Sequence, residues 1–390
     1  HSMEWKEKYG GTILNQLKKM GASCDWSKTA FTMDPEYSKA VIRAFVKLYD
    51  DGLIYRGKRM VNWDPKGLTA LSNEEVIYKE ENSKLWYIKY EIEGSNKHLI
   101  VATTRPETML GDTGIAINPN DKRFKKYVGK NAILPIINKK IPIFTDDYVD
   151  MSFGTGCVKV TPAHDMNDYD MAQRNNLEVI NIMHDDATFN KNVPEEYQNK
   201  DRFEVRKMVL DYLQEEDLLF KTEDYIHKVG HSERTDAVIE PRLSKQWFLK
   251  MENFAKPALK VVKDKKIKFH PNRWEKIYNH WLNNIQDWCI SRQLWWGHRI
   301  PVWYKNNEIY CDINPPEGEG WVQEEDVLDT WFSSWIWPIA TLGWPDKNED
   351  LDKFYPTQDL VTGPDIIFFW VARMIMSGLY FKDQVPFSNV

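Results

Sequence analysis

The chain has 390 residues, of which 42% are hydrophobic and 28% charged, and its formal net charge is −6. These values are ordinary for a globular protein with two or three cores, and they argue against a protein that coats nucleic acid non-specifically. No apolar run approaches the roughly 20 residues that span a bilayer, no secretory signal is evident, and the four cysteines form no C-x-x-C pair. We therefore expect a cytoplasmic protein without disulfides or membrane segments.

The first predicted elements are a helix and a strand. Asp34 and Pro35 are typical of an N-cap and a first helical residue, and apolar residues recur at helical spacing until Gly52. Residues 53–63 then have the composition of a strand.

A β-rich pattern begins at about Glu80. Residues 84–92 and 97–104 predict two strands, and the Gly94-Ser95-Asn96 segment between them is a hairpin signal. Residues 154–160 predict another short strand. We interpret residues 80–226 as a β-rich module inserted between two helical flanks.

Two helices are predicted around the second half of this module. Thr161 and Pro162 have the pattern of an N-cap and a first helical residue, for a helix that runs to about Arg174. Residues 201–219 predict an amphipathic helix. From Leu282 helices alternate with short strands, as in an α/β sheet.

The most apolar stretch lies near the end of the chain. It runs from Asp365 to Leu379 and is interrupted by Arg373. This pattern predicts a buried helix.

The first candidate site follows the strand of residues 97–104. Thr103, Arg105 and Thr108 form a dense set of hydroxyl and guanidinium donors. Such a set suits a ribose, an ester carbonyl or a small polar side chain. The alternative is a turn with capping threonines.

The second candidate site follows residues 154–158. Lys159 and Thr161 are two positions apart, so on a strand they face the same side. Asp165 and Asp168 are three apart near a helix N-terminus, where the helix dipole favours ionised carboxylates. The group suits capture of an ammonium, or it simply caps the helix. His164 is a candidate general base, although a histidine with a structural role is more common.

These segments carry a resemblance to a known family. TTRPETMLGDTGIAINP and GTGCVKVTPAHDMNDYD resemble the editing-domain motifs of the valyl-tRNA synthetases, which are class I enzymes. Six further segments resemble the same family in the same order, so the resemblance covers essentially the whole chain; they are FTMDPEYSKAVIRAF, LIYRGKRMVNWDP, EPRLSKQWF, DWCISRQLWWGHRIPVW, DVLDTWFSSWIWP and VTGPDIIFFWVARMI. Glu107 and the pair of Lys159 and Thr161 favour the valyl members over the leucyl and isoleucyl relatives.

The resemblance implies a fold and a division of the chain. The fold is α/β, a partial Rossmann-type class I catalytic domain with an inserted β-rich, β-barrel-like editing domain. Residues 1–79 would be a catalytic segment and stalk, 80–226 the editing domain, 227–275 the stalk and return, and 276–390 the second part of the catalytic domain. The HIGH and KMSKS motifs of the family are absent from the sequence. We therefore expect at most editing from this chain, without formation of valyl-adenylate.

The resemblance also implies the chemistry of editing. The family attaches valine to tRNA(Val) with ATP and Mg, and it hydrolyses mischarged threonyl-tRNA(Val). Hydrolysis would proceed by attack of a positioned water on the ester, with no covalent intermediate, metal or cofactor.

By resemblance, seven residues serve this editing site in three roles. They are Asp168 for the substrate ammonium; Lys159, Thr161 and Asp165 for the threonine side chain; and Thr103, Arg105 and Thr108 for the terminal adenosine and the ester.

The aminoacylation half has its own matching positions. Trp331, Ile366 and Trp370 match residues of the valine pocket, although they are equally typical of a core. Gly363 and Asp365 match a segment that contacts the ATP ribose.

A structural zinc is not expected. Some family members carry zinc-binding cysteine pairs in the stalk, and in this chain Asp64, Gly67, Ser232 and Thr235 stand at those positions.

The expected partner is the acceptor end of tRNA(Val), with valine and ATP in the full-length enzyme and no obligate protein partner. The basic strip of residues 260–268 is either a tRNA contact or a solvated surface segment. Three alternatives remain. They are an acceptor-end binding module without turnover, an isoleucyl- or leucyl-type editing region, and a free-standing deacylase.

Overall fold

The computed structural model describes residues 1–346 and 348–390. The α-helices are α1 (Ser2–Lys19), α2 (Pro35–Asp50), α3 (Met166–Asn175), α4 (Arg202–Glu215), α5 (Glu252–Lys263), α6 (Arg273–Asn283), α7 (Thr330–Ser334), α8 (Trp337–Ala340), α9 (Glu349–Phe354) and α10 (Arg373–Lys382). The β-strands are β1 (Ile54–Asp64), β2 (Thr69–Leu71), β3 (Val76–Ile92), β4 (His98–Thr103), β5 (Gly114–Ile117), β6 (Asn131–Ile133), β7 (Lys140–Thr145), β8 (Cys157–Val160), β9 (Leu219–Ser232), β10 (Glu240–Leu249), β11 (Trp288–Cys289), β12 (Ser291–Arg292), β13 (Val302–Lys305), β14 (Glu308–Cys311), β15 (Val322–Gln323) and β16 (Val327–Leu328).

A four-stranded antiparallel sheet, which we call the stalk sheet, has the strand order β11-β10-β1-β2. Strands β1 and β10 pair from Ile54 opposite Leu249 to Trp63 opposite Glu240. The helix before this sheet is as predicted, since α2 begins at Pro35 after the N-cap Asp34.

A larger sheet forms the β-rich module, which comprises residues 76–232. Its path is β4-β3-β6-β7-β5-β8, with β9 on the other part of β3. The end strands β4 and β8 contact each other, so the sheet curls into a barrel-like shape. The approach is close at Gly154, where an added Cβ would lie 2.8 Å from the Cβ of Ala102. The predicted hairpin of β3 and β4 is confirmed.

Strands β3 and β9 form a long ribbon that joins this module to the stalk sheet. They pair from Val76 opposite Ser232 to Ile88 opposite Leu219. The ribbon therefore runs through the boundaries predicted after residues 79 and 226, which fall inside paired strands. The four-part division of the chain stays a prediction.

The molecule has two large, separate cores. One packs α2, the stalk sheet and the C-terminal helices, and its largest buried side chains include Trp247, Trp335 and Tyr278. The other fills the β-rich module and includes Tyr90, Val101 and Phe189. Two cores with one ribbon between them are typical of an insertion into a host domain.

The C-terminal part alternates helices with short strands, as the sequence predicts. Strands β12–β16 pair antiparallel, in a two-stranded and a three-stranded sheet. Parallel bridges join Asn389 to Lys268 on one side and to Asp359 on the other. This parallel arrangement is the one expected of a Rossmann-type unit.

One helix among the described residues, Pro364–Lys382, is long and apolar enough to cross a membrane by length and composition, and half of it is buried. The sequence indicated a shorter apolar run because Arg373 interrupts it. Arg373 is itself buried, pairs with Glu74 at 3.1 Å and lies over the ring of Trp288. The predicted buried helix is confirmed for residues 371–376, which lie in the first core.

Candidate functional site

Three segments of the β-rich module meet at one polar cluster. They are the turn that follows β4, the end of β8, and the start of α3. Because β4 and β8 contact each other, the residues at their ends come together although they are far apart in sequence. Both predicted constellations therefore belong to the same site.

Lys159 is the centre of the cluster. Its side chain is 8% exposed. Its Nζ lies 2.6 Å from Thr161 Oγ1, 2.8 Å from Thr108 Oγ1 and 3.1 Å from Asp112 Oδ1. A buried ammonium of this kind needs a counter-ion and acceptors for all its hydrogens, and it has both.

Asp112 is a site residue that the sequence reasoning missed. It is fully buried, and Oδ1 accepts from Lys159 Nζ and, at 2.5 Å, from Thr161 Oγ1. Its other oxygen accepts from the hydroxyl of Tyr90 at 2.7 Å. The signal in the sequence was a single carboxylate within residues 109–117, which are otherwise uncharged and mostly small or apolar. A carboxylate on such a buried segment needs a cation or hydrogen-bond donors as partners.

The helix start differs from the prediction. Asp165, not Thr161, is the N-cap of α3, and its side chain accepts from the amides of Asn167 and Asp168. Thr161 precedes the helix because both its polar groups are used elsewhere. Its hydroxyl bonds Asp112, and its amide donates to Asp168 Oδ2 at 2.8 Å.

Asp168 is the carboxylate of the cluster whose environment best fits a ligand-binding residue. Burial, together with the negative charge of Asp165, raises its pKa to about 7, against the opposing effect of Lys159. A carboxyl group whose pKa is perturbed in this way, within a polar cluster, is a candidate functional residue.

Arg105 is held by a second buried charge network. Its Nη2 donates to both oxygens of Glu240, at 2.8 and 2.7 Å, its Nη1 donates to the carbonyl of His164, and its Nε donates to Glu107. Burial alone would raise the pKa of Glu240, but the charges of Arg105 and Arg202 and a hydrogen bond from His164 hold it well below its usual range. Most of the guanidinium donors of Arg105 are therefore used within the protein.

The seven predicted editing residues lie on one continuous path of hydrogen bonds. The amide of Arg105 donates to Thr103 Oγ1 at 3.0 Å, and Thr108 Oγ1 donates to the carbonyl of Arg105 at 3.0 Å. Thr108 leads on to Lys159, and through Thr161 the path reaches both aspartates. The sequence prediction that these residues form one group is thus consistent with the geometry, whereas their individual roles stay predictions.

His164 has the structural role that the sequence analysis favoured. It is 1% exposed, its Nε2 accepts from the amide of Ile182 at 3.1 Å, and its Nδ1 lies 3.2 Å from Glu240 Oε1. Burial lowers its pKa, so the neutral ring donates from Nδ1 to Glu240.

The residues predicted for valine and ATP lie outside the β-rich module, where Trp331 and Trp370 pack against the other core. Trp331 packs edge-to-face on Phe369 at 4.6 Å, and Trp370 Nε1 donates to the carbonyl of Ser334. Ile366 is half-buried, and Gly363 and Asp365 are exposed at the start of the Pro364–Lys382 helix. A cavity of about 510 Å³ between the stalk sheet, α6 and this helix is lined in part by Asp365, Phe368 and Trp288.

The four positions discussed for zinc converge in the stalk. The carboxylate of Asp64 accepts from Ser232 Oγ at 2.6 Å, from Thr235 Oγ1 at 2.8 Å and from the amide of Gly67 at 2.7 Å. The carboxylate of Asp64 therefore links the turn after β1 to the turn after β9. No group of three or more metal-binding side chains is found in residues 1–346 and 348–390.

Comparison with known proteins decides the family. The model for class I tRNA synthetases (I, L, M and V) matches residues 1–317 and 315–390. This chain belongs to the class I tRNA synthetases. It is 53% identical over 395 residues to the valine–tRNA ligase of Clostridium tetani, which covers 99% of this chain and 45% of that protein. It is 52% identical over 409 residues to the valine–tRNA ligase of Porphyromonas gingivalis, with 100% and 47% covered.

A solved structure is similar at a lower level. The leucyl-tRNA synthetase of Agrobacterium radiobacter, in a ternary complex with tRNA and LeuAMS, has a TM-score of 0.44 and 15% identity, covering 100% of this chain and 56% of that one. The class I synthetase chain described here spans about half the length of the curated relatives it matches. The α/β fold class with a β-rich insertion is confirmed by the family match.

Proposed function

We propose that this chain is the part of a valine–tRNA ligase that hydrolyses mischarged threonyl-tRNA(Val). The observation that carries the proposal is the buried cluster of Lys159, Thr161 and Asp168, with Thr108 and Asp112 around the lysine. The names of relatives that are 53% identical over nearly the whole chain support valine as the cognate amino acid.

Asp168 would bind the α-ammonium group of the aminoacyl ester. Thr161 holds one of its oxygens through a backbone amide, which sets the direction of the other oxygen. An ammonium ligand favours the ionised carboxylate, so binding would itself lower the raised pKa of Asp168.

The hydrolysis step needs a positioned water and a stabilised oxyanion. The water oxygen attacks the ester carbon, and the bond from that carbon to the ribose oxygen breaks. One proton of the water is transferred to the leaving ribose oxygen, and the other is released from the carboxyl group of the amino acid. The products are free threonine and uncharged tRNA. Thr103, Arg105 and Thr108 would hold the terminal adenosine and the ester, with Arg105 held by Glu240 and Glu107.

The need for such a site follows from size. Threonine has the shape of valine, so an apolar pocket rejects it weakly, a limit for which valyl-tRNA synthetases are a known instance. A second pocket that bonds the threonine hydroxyl discriminates better, because bound valine leaves its polar groups unpaired.

ATP, Mg and valine belong to the full-length enzyme in this proposal. Asp365 has an exposed carboxylate that fits the hydroxyls of a ribose, and Gly363 beside it has no side chain to obstruct a ligand. ATP supplies the activation of valine when bound, and Trp331, Ile366 and Trp370 would give the apolar walls for the valine side chain.

The acceptor end of tRNA is the proposed partner. The basic strip of residues 260–268 is partly neutralised, since Lys260 pairs with Asp264 and Lys265 with Glu275. Contacts to phosphate would therefore be few, and binding would weaken with salt.

The test is hydrolysis of pre-formed threonyl-tRNA(Val) by the 390-residue chain. Asp168→Asn should abolish turnover, because the ammonium loses its counter-ion. Asp170→Asn, on the exposed side of the same helix, is the matched control and should retain turnover. Tight binding without hydrolysis by the unchanged chain would instead indicate a binding module, and faster deacylation of misacylated tRNA(Ile) would indicate the isoleucyl branch.

A further inference from the structure

The carboxylate that holds Arg105 lies outside the β-rich module. Glu240 is the first residue of β10 and lies opposite Trp63 in the stalk sheet. Its side chain is almost fully buried, and the three side chains that donate to it, those of Arg105, His164 and Arg202, all belong to the module. One carboxylate of the stalk therefore joins three segments of the module that are far apart in sequence.

The orientation of Arg105 depends on this carboxylate. A guanidinium is planar and carries its N–H donors in a fixed fork. Nη2 donates to both oxygens of Glu240, at 2.8 and 2.7 Å, while Nη1 donates to the carbonyl of His164 at 3.1 Å. Nε donates to Glu107 at 3.2 Å, but both oxygens of Glu107 also accept from Arg206. The second hydrogen of Nη1 has no acceptor within the described residues, and the side chain is 27% exposed, so this donor is available to a ligand.

A second set of contacts holds the module on the stalk beside Glu240. Trp63 Nε1 donates to the carbonyl of Asp185 at 2.7 Å, and the guanidinium of Arg242 lies over the Trp63 ring. Arg242 also pairs with the Asp185 carboxylate at 2.7 Å. Trp63 and Arg242 belong to the stalk sheet, whereas Asp185 belongs to the module. We call the module docked when these contacts and those of Glu240 are made.

The rest of the polar cluster does not involve the stalk. The hydrogen bonds of Lys159, Thr161 and Asp168 all lie within the module. A displacement of the module on the stalk would keep these bonds but would lengthen those between Arg105 and Glu240. Because such bonds are rarely longer than about 3.2 Å, a displacement of about 1 Å is enough to release Arg105.

We propose that Glu240 is a positioning residue through which the stalk completes the editing site, so that Arg105 presents its available N–H to the aminoacyl-adenosine end only while the module is docked. This inference rests on the proposed function, since it concerns the substrate contact of Arg105. Recognition of the ammonium is built within the module, whereas recognition of the adenosine and the ester depends on the stalk. By linkage, a ligand that uses the docked state also stabilises docking.

The first test is a pair of substitutions that are compared by binding. The probe is 2′-(L-threonylamino)-2′-deoxyadenosine, a stable amide, and calorimetry gives its dissociation constant and its stoichiometry. Glu240→Gln and Arg105→Gln should each raise the dissociation constant about 10-fold or more. Because Glu240 acts through Arg105, the double variant should match Arg105→Gln to within about 2-fold.

Two results of this comparison would overturn the inference. Independent contributions would multiply to about 100-fold in the double variant. A structural role alone would lower the stoichiometry of Glu240→Gln and leave the dissociation constant of its folded fraction unchanged. The matched control is Glu324→Gln, which neutralises another buried carboxylate, one that accepts from Trp247 near the opposite end of β10 and pairs with Arg56. It should leave the dissociation constant unchanged.

Hydrogen exchange keeps the test decisive if Glu240→Gln does not fold. Saturation of the unchanged chain with the probe should slow exchange of the backbone amides of residues 238–242 by about 5-fold or more, although Glu240 is too buried to touch the ligand. Arg105→Gln should lose this effect. Protection that is confined to the module in the unchanged chain would overturn the inference.

The outcomes also separate this inference from the proposed function. Probe binding that depends on Glu240 through Arg105, without hydrolysis of threonyl-tRNA(Val), would reject the proposed turnover and support the role of Glu240. Hydrolysis by the unchanged chain, with equal dissociation constants for the unchanged chain and Glu240→Gln, would support the proposed function and overturn this inference.

Discussion

The backbone amide of Thr161 donates to Asp168 Oδ2 at 2.8 Å, across the junction between β8 and α3. This hydrogen bond fixes the orientation of the Asp168 carboxylate. Burial and the negative charge of Asp165 raise the pKa of that carboxylate to about 7. A residue predicted to start the helix is thus used to hold the residue that would bind the substrate ammonium.

The contribution of Asp168 to the stability of the chain should decrease between about pH 4 and pH 7. In this window the unfolded state has lost the Asp168 proton, while the native state still holds it. Because the native state then keeps one more proton at this residue, its contribution to the free energy of unfolding falls as pH rises and levels off above the native pKa. Asp168→Asn should raise the free energy of unfolding at pH 8 by about 2–4 kcal/mol and flatten this part of the profile. Urea unfolding across the range measures both.

Affinity for an amino-bearing ligand should have the opposite pH trend. The ammonium group of the ligand needs an ionised Asp168. The affinity for the stable amide 2′-(L-threonylamino)-2′-deoxyadenosine should therefore rise between pH 5 and pH 7, by up to about tenfold per pH unit. A probe that lacks the amino group should not show this rise. Calorimetry at several pH values compares the two, and equal pH profiles would contradict the role given to Asp168.

Glu240 should be essential for the fold of the site. It accepts from Arg105, Arg202 and His164 while almost fully buried. Glu240→Ala leaves two buried guanidinium groups without their counter-ion and should cost about 3–5 kcal/mol in the free energy of unfolding. The control is Glu178→Gln, which removes an exposed ion pair with Lys139 and should change little.

The carboxylate of Asp64 should stabilise the stalk at the position where some relatives are expected to bind zinc. Asp64→Ala leaves the hydroxyls of Ser232 and Thr235 and a backbone amide without an acceptor, and we expect a loss of about 3 kcal/mol. Lys79→Gln, which removes an exposed ion pair with Asp236, should remain near the wild type. Dialysis against a zinc chelator should leave the unfolding midpoint unchanged; a large drop would mean that a metal is present.

Local patterns predicted much of the architecture. The start of α2, the hairpin of β3 and β4 and the buried C-terminal helix each follow from residues that are neighbours in sequence. The Thr161-Pro162 pattern misled because tertiary bonds to Asp112 and Asp168 outweighed its capping tendency. The local sequence would be the same whether Thr161 or Asp165 capped the helix, so it could not distinguish the two.

The partners of the site residues were harder to predict. Asp112 is 47 positions from Lys159, and Glu240 is 135 positions from Arg105. Such pairings depend on how the sheet curls and on how the ribbon returns, and neither is encoded in the spacing of any one segment. The residues proposed to face a ligand were predicted from motifs, whereas the partners behind them follow only from the folded structure.

The ribbon of β3 and β9 has a consequence for folding order. The pairing of β3 with β9 ends where Ile88 lies opposite Leu219. The chain therefore leaves the ribbon and returns to it at neighbouring points. For the host core, the inserted module is therefore equivalent to one hairpin. Closing this long insertion costs chain entropy, and the folding of the inserted core can offset that cost independently of the host. Heating should accordingly melt the molecule in two steps, and a short turn that joins the strands after Ile88 and before Leu219 should leave the host able to fold.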